Sequence, residues 1–134
     1  MDSKVTVAVR CRPLMRKEER DGAEAVVVLE DRQVVVGDPV ELAARGESPI
    51  LGRAFAFDLV LGGESQEQVH QTLGVPLLRH VWNGFNSAIF AYGQTGSGKT
   101  YSMTGGEGDD QGLIPRVCDG LWDAADAHER THGK

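Results

Sequence analysis

At 134 residues with a formal net charge of −6, the chain has room for one domain with one core, and its balance is acidic. The charge argues against a nucleic-acid surface, which carries a basic excess, and no apolar run approaches the roughly 20 residues of a membrane span. The opening MDSKVTVAVR has a short apolar stretch that leads into arginines, unlike a secretory signal, so the expectation is a cytoplasmic protein without nucleic-acid or membrane partners.

KVTVAVR is rich in β-branched residues and reads as a strand buried on both faces. CRPLMRKEERDG breaks that pattern at Pro13 and becomes highly charged. AVVVLEDRQVVVG reads as a hairpin, two short strands joined at Glu30-Asp31-Arg32. DPVELAARGESPILG reads as an exposed loop, and RAFAFDLVL as one further strand. Ser65 and Gln68 fit a capping box that opens a helix, whose stripe is Val69, Leu73, Leu77 and Val81. Pro76 lacks an N–H donor and is expected to bend this helix, and Asn83-Gly84 closes it with Gly84 in the left-handed cap conformation. SAIFAY reads as a short strand. A helix is expected to open near Gly98 and to be cut early by GGEGDDQG, a flexible acidic loop. The last helix has Pro115 in its first turn and a stripe of Ile114, Val117, Cys118, Leu121, Trp122 and Ala125. Cys11 and Cys118 have no metal-like spacing and read as reduced, buried thiols.

GQTGSGKT, Gly93 to Thr100, matches the phosphate-loop pattern G-x-x-x-x-G-K-[ST]. A triphosphate needs several backbone N–H groups at close range, which small residues permit; here the loop is Gly93, Gln94, Thr95, Gly96, Ser97, Gly98, Lys99 and Thr100. The N-terminus of the following helix adds partial positive charge. Lys99 is the candidate for the β- and γ-phosphates, and the Thr100 hydroxyl for Mg2+. The expected cofactors are therefore a nucleoside triphosphate and Mg2+. A second motif competes. HERTH, His128 to His132, matches the zinc-peptidase pattern H-E-x-x-H, but no third ligand follows it and His70 and His80 lie far upstream. It reads as a solvated polar helix end without a zinc site.

Further stretches surround the phosphate loop in a fixed order: AVRCRPL with Arg10-x-Arg12-Pro13, FAFD at 55 to 58, NGFNSAIFAYGQTGSGKTYSM, and GLIPRVCDGLW. In this order the whole chain closely resembles the N-terminal part of a kinesin motor domain. The resemblance implies an α/β P-loop NTPase fold, with a kinesin-like mixed central sheet and helices on both faces, incomplete in residues 1–134. It implies that the triphosphate is ATP, and that Arg10, Arg12 and Pro13 border the adenine, with Pro13 on one side of the base and Tyr101 stacked on the other. GGEGDDQG falls where such motors insert a loop, and its Glu107, Asp109 and Asp110 read as keeping that loop solvated. The resemblance implies that the segments that sense the γ-phosphate, N-x-x-S-S-R and D-x-x-G, lie downstream and that neither occurs in residues 1–134, and that the elements that contact the microtubule are absent too. The strand between the first strand and SAIFAY comes, in kinesins, from the far C-terminal end of the domain.

The function this implies is an ATP-driven microtubule motor, an ATP hydrolase as a full-length protein, with residues 1–134 alone expected to be inactive. It would act on the cytoskeleton in the cytoplasm, reaching tubulin through elements outside this chain. A non-catalytic nucleotide-binding or structural module derived from a motor, or another P-loop NTPase, are the alternatives.

Overall fold

A computed structural model describes residues 5–37 and 53–132. The expected loop at 38–52 lies outside the described residues. The chain divides into two compact units, one running to Gly63 and the other beginning at Glu64.

The first unit pairs strands in two ways. β1 (Ala8–Cys11) lies parallel to β5 (Leu59–Gly62), with Ala8 opposite Leu59 and Cys11 opposite Gly62. β2 (Val27–Glu30) and β3 (Gln33–Val36) form the expected antiparallel hairpin, turning at Asp31-Arg32, and β4 (Arg53–Ala56) adds antiparallel to β3. Val34 and Val35 of the central strand are buried, as is Leu61 of β5. Leu29 of β2 lies against β5, filling the space above Gly62 where a Cβ would sit.

Three expectations change here. RAFAFDLVL is two strands, because Asp58 interrupts it. The Asp58 carboxylate accepts the Val7 N–H at 2.9 Å, and the Asp58 N–H donates to the Val7 carbonyl at 3.1 Å, so the residue serves β1 instead of continuing β4. KVTVAVR is not buried on both faces: its ladder begins at Ala8, and Val5 and Val7 are exposed. Between β1 and β2 the charged stretch contains a short helix, α1 (Arg16–Arg20), held by the Glu18 carboxylate, which accepts the Met15 N–H at 2.8 Å.

In the second unit a continuous helical run begins where expected. Ser65 Oγ accepts the Gln68 N–H at 3.2 Å and Gln68 Oε1 accepts the Ser65 N–H at 2.9 Å, closing the capping box. The run passes from α2 (Gln66–Val69) through a π turn (His70–Gly74) into α3 (Val75–Trp82). The π turn is how the chain meets Pro76. Val75 N–H reaches back to the His70 carbonyl, and the widened turn ends where the proline ring enters the first turn of α3.

Gly84 ends α3 at φ 85°. Its N–H donates to the Val81 carbonyl at 2.9 Å and the Phe85 N–H to the His80 carbonyl at 3.2 Å, the two bonds of a Schellman cap. The His80 and Phe85 rings, 5.1 Å apart, close it from the side. A Cβ on Gly84 would meet nothing within 4 Å, so the cost of a side chain there is backbone strain alone. Gly84→Ala is expected to destabilise the protein by about 1–2 kcal/mol, with Gly84→Asn less affected because asparagine tolerates this region. Denaturant unfolding of the wild type and the two variants checks it; equal midpoints for Gly and Ala would contradict the cap.

α4 (Lys99–Met103) is short, and α5 (Leu113–His132) is the long closing helix. α5 turns Leu113, Val117, Gly120, Leu121 and Ala124 inward. At Gly120 the Leu78 side chain of α3 stands 2.7 Å from where a Cβ would be, so the two helices approach closely there. The expected stripe is only half right: Ile114, Cys118 and Trp122 are exposed. Cys118 is therefore not a buried thiol, and Cys11 is half-buried. SAIFAY is not a strand. Ser87–Tyr92 has no ladder partner among the described residues, and Phe90 and Tyr92 are fully open to solvent.

Among the described residues no helix is long and apolar enough to cross a membrane. HERTH continues α5, with the His128 ring packed edge-on to Trp82 at 6.1 Å. Among the described residues no group of three or more His, Cys, Asp or Glu could hold a metal ion.

Candidate nucleotide-binding site

Gly93–Gly98 turns from the Ser87–Tyr92 segment, which has no assigned secondary structure, into α4. The Ser97 N–H donates to the Gln94 carbonyl at 3.2 Å, and the Ser102 N–H to the Gly98 carbonyl at 2.9 Å. Gly96 and Gly98 take φ of 82° and 95°, conformations that side chains resist. A Cβ at Gly93 would stand 2.6 Å from Ser97 Oγ. The loop is thus a small, glycine-lined cradle of main chain, which suits the close approach of a phosphate.

Lys99 folds back across this cradle. Its Nζ donates to the carbonyls of Gly93 and Gln94, each at 2.8 Å. The loop therefore holds a cation at its mouth. Thr100, one residue on, is exposed in the first turn of α4, with a hydroxyl of the kind that ligates Mg2+ in phosphate loops. The donor set fits a triphosphate with its magnesium. The expected contribution of the helix N-terminus is smaller than the sequence implied. α4 has 5 residues, and so few aligned peptides sum to little macrodipole, so the loop N–H groups and Lys99 carry the attraction.

Tyr101 follows within α4 and is 47% exposed. Its hydroxyl donates to Asp110 Oδ1 at 3.0 Å. The buried Gln66 side chain donates from Nε2 to the Tyr101 carbonyl at 2.6 Å and to the Asp110 carbonyl at 3.2 Å. Arg116 donates to the carbonyls of Asp109 at 2.9 Å and Gln111 at 2.8 Å, and pairs with the Glu67 carboxylate. A hydrogen bond donated by the Gln71 side-chain amide, and the charge of Arg116, hold that carboxyl below its ordinary range. The GGEGDDQG segment is consequently a tied loop. It closes through a bridge between Gly105 and Gln111 and contains a short 3-10 turn (Gly108–Asp110). It also spells D-x-x-G at Asp109–Gly112, so the string does occur in the chain, against the expectation that it is absent. Here the string closes a loop between two helices, with the Asp109 carbonyl engaged by Arg116. Gln66, Asp110 and Arg116 carried no signal in the sequence, because the partners of Gln66 lie 35 and 44 residues away and those of Arg116 up to 49.

Arg10, Arg12 and Pro13 belong to the first unit. Arg10 lies in β1 opposite Leu61. Arg12 donates to Glu18 from both terminal nitrogens, at 2.7 and 2.6 Å, and to the Pro13 carbonyl at 3.0 Å. The Arg12 hydrogen bonds, then that from Met15, hold the Glu18 carboxyl at about 2. Arg12 therefore fixes the turn that carries Pro13, which is exposed.

The family model described as Kinesin motor domain matches residues 10–133. This chain belongs to the kinesin motor domain family. It is 36% identical over 137 residues to kinesin-like protein KIF13B of Homo sapiens, covering 96% of this chain and 7% of that protein. It is 37% identical over 132 residues to kinesin-related protein 1 of Dictyostelium discoideum, covering 88% of this chain and 6% of that one. Among solved structures it resembles KIF14 with ADP in complex with a microtubule, with a TM-score of 0.76 and 35% identity over 90% of this chain and 33% of that one. The α/β class and the joint use of parallel and antiparallel pairing agree with the kinesin fold, of which this chain spans a third of that solved example. It spans less than a tenth of the length of these two curated relatives.

Proposed function

We propose that this chain supplies the nucleotide-binding part of an ATP-driven microtubule motor, residues 1–134 being the N-terminal part of its motor domain. The observation that carries the reading is the Gly93–Thr100 cradle with the Lys99 ammonium held at its mouth. Gly93, Gln94, Thr95, Gly96, Ser97 and Gly98 wrap the phosphates with backbone N–H groups, Lys99 neutralises their charge, and the Thr100 hydroxyl ligates Mg2+. Mg-ATP, when bound, supplies the phosphoryl group whose hydrolysis by water drives the motor. Arg10, Arg12 and Pro13 border the base, and Tyr101 stacks on it. Microtubule contact comes through elements outside this chain, which places the protein on the cytoskeleton in the cytoplasm. The relatives' domain family and the microtubule-bound structure of KIF14 support this assignment.

The experiment is microtubule-stimulated ATP hydrolysis by the full-length protein, with Tyr101→Ala beside it. Hydrolysis is expected in the wild type, and the variant is expected to bind ATP and ADP more weakly by about 1 kcal/mol, the value of an aromatic stacking contact. A full-length protein that neither hydrolyses ATP nor responds to microtubules would overturn the motor reading. Unchanged nucleotide affinity in Tyr101→Ala would remove Tyr101 from the base site.

A further inference from the structure

We propose that Asp110 is a positioning residue for Tyr101: the loop between α4 and α5 returns this carboxylate to the tyrosine hydroxyl and so sets the ring before nucleotide arrives. The inference rests on the reading of Tyr101 as the stacking residue, and it adds the group that orients it.

Tyr101 is half exposed on a helix of 5 residues, and an aromatic ring that is ordered before a flat ligand arrives spends less conformational entropy on binding. The hydroxyl bond to Asp110 Oδ1, 3.0 Å long, is a tie that holds the ring. A single surface carboxylate on a loose loop would make a poor anchor. Asp110 is not loosely held. Its own carbonyl accepts from the Gly106 N–H at 2.9 Å and from the buried Gln66 amide at 3.2 Å. The same amide nitrogen holds the Tyr101 carbonyl at 2.6 Å, so one side chain of α2 ties the two residues to a common point. On either side of Asp110, Arg116 grips the carbonyls of Asp109 and Gln111. The Gly112 N–H bonds the Thr104 carbonyl at 2.9 Å and closes the loop at its base.

A carboxylate whose role was to keep the loop hydrated would need none of this placement. Glu107 and Asp110 are both exposed, so the placement of Asp110 against the tyrosine hydroxyl, and not burial, separates the two. Asp110 accepts the one hydroxyl of the residue next to the phosphate loop, and the backbone around it is tied at several points to α2 and α5. The consequence is pre-organisation: the ring spends less free energy on ordering when the base binds, and the effect appears in affinity.

The test uses the full-length protein and the variants Asp110→Ala, Asp110→Asn, Tyr101→Phe, Tyr101→Ala and the double variant Asp110→Ala with Tyr101→Phe. The first readout is ADP affinity by calorimetric titration; the second is the KM and kcat of ATP turnover. Asp110→Ala and Tyr101→Phe are each expected to weaken ADP binding by about three- to tenfold, the range of one hydrogen bond, with KM raised and kcat unchanged. The double variant is expected to be no weaker than either single one, since both remove the same bond. Asp110→Asn keeps an acceptor oxygen and is expected to restore affinity to within about twofold of wild type. Additive losses, an Asp110→Asn as weak as Asp110→Ala, or unchanged affinity in Asp110→Ala would each overturn the proposal. Tyr101→Ala separates the two levels. If it weakens binding while Asp110→Ala does not, the positioning role fails and the stacking role stands; if it leaves affinity unchanged, the stacking role fails and takes the positioning role with it.

Discussion

Lys99→Ala in the full-length protein is expected to abolish productive ATP turnover, and the loss should exceed that of any other single substitution in the loop. Two effects add. The first is electrostatic. Phosphoryl transfer asks the protein for positioning and charge stabilisation, and the ammonium is the one fixed cation the loop carries, since its other groups are N–H and hydroxyl dipoles. Removing a single group aimed at developing charge typically lowers kcat by about 10²–10³, and a full charge stands at the upper end. The second effect is structural. The Lys99 ammonium satisfies the carbonyls of Gly93 and Gln94 and so helps hold the main chain that should meet the phosphates. Alanine leaves both carbonyls to water and frees a glycine-rich loop. Lys99→Arg is not expected to rescue the loss, because a planar fork does not replace a compact ammonium between two carbonyls. Single-turnover hydrolysis and equilibrium nucleotide binding, measured side by side, separate the two effects. Turnover at the wild-type rate would refute the assignment.

Residues 1–134 expressed alone are expected to form neither a stable nor an active domain. The reason is visible in both units. Among the described residues the buried hydrophobic side chains are Val34, Val35, Leu61, Val69 and Leu113, while Phe90, Tyr92, Trp122, Ile114 and Val5 face solvent. Burial of one large apolar side chain is worth about 1.5–3 kcal/mol, against a total stability of about 5–15 kcal/mol for a whole domain. A handful of such side chains left in water decides the balance. The Ser87–Tyr92 segment adds backbone groups with no ladder partner among the described residues, at the point where the chain enters the phosphate loop. A cradle fed by an unpaired segment is poorly held even though its own turns are sound. Thermal unfolding of the purified piece should be broad and uncooperative, and microtubules should elicit no hydrolysis from it. A cooperative melt accompanied by microtubule-stimulated turnover would overturn this expectation.

What could be read from the sequence and what could not divides by the distance over which the deciding contact acts. The Ser65–Gln68 capping box, the Asp31-Arg32 hairpin turn, the Gly84 cap and the glycine cradle of Gly93–Gly98 are each complete within about six residues. Their side chains and N–H groups find their partners wherever the segment lies, so the residue types alone determined them. Membership of the kinesin family was legible for a related reason: the phosphate loop and its flanking strings keep their residue types and order, and those are properties of the chain and not of its packing. The rest needed partners far away in sequence. SAIFAY has the composition of a strand, yet a strand exists only where another backbone accepts its hydrogen bonds. RAFAFDLVL has strand composition throughout, and it broke at Asp58 because Val7, 51 residues earlier, offered that carboxylate an N–H. α5 carries apolar residues on more than one face, so periodicity could not choose between Leu113 and Ile114; the close approach of Leu78 of α3 at Gly120 fixed which face turns inward, with Leu121 half-buried and Trp122 exposed. The acidic loop looked free because its residues are polar; Glu107, Asp109 and Asp110 are exposed as expected, and only the tertiary structure brought Gln66 and Arg116 to the loop's carbonyls and tied it down.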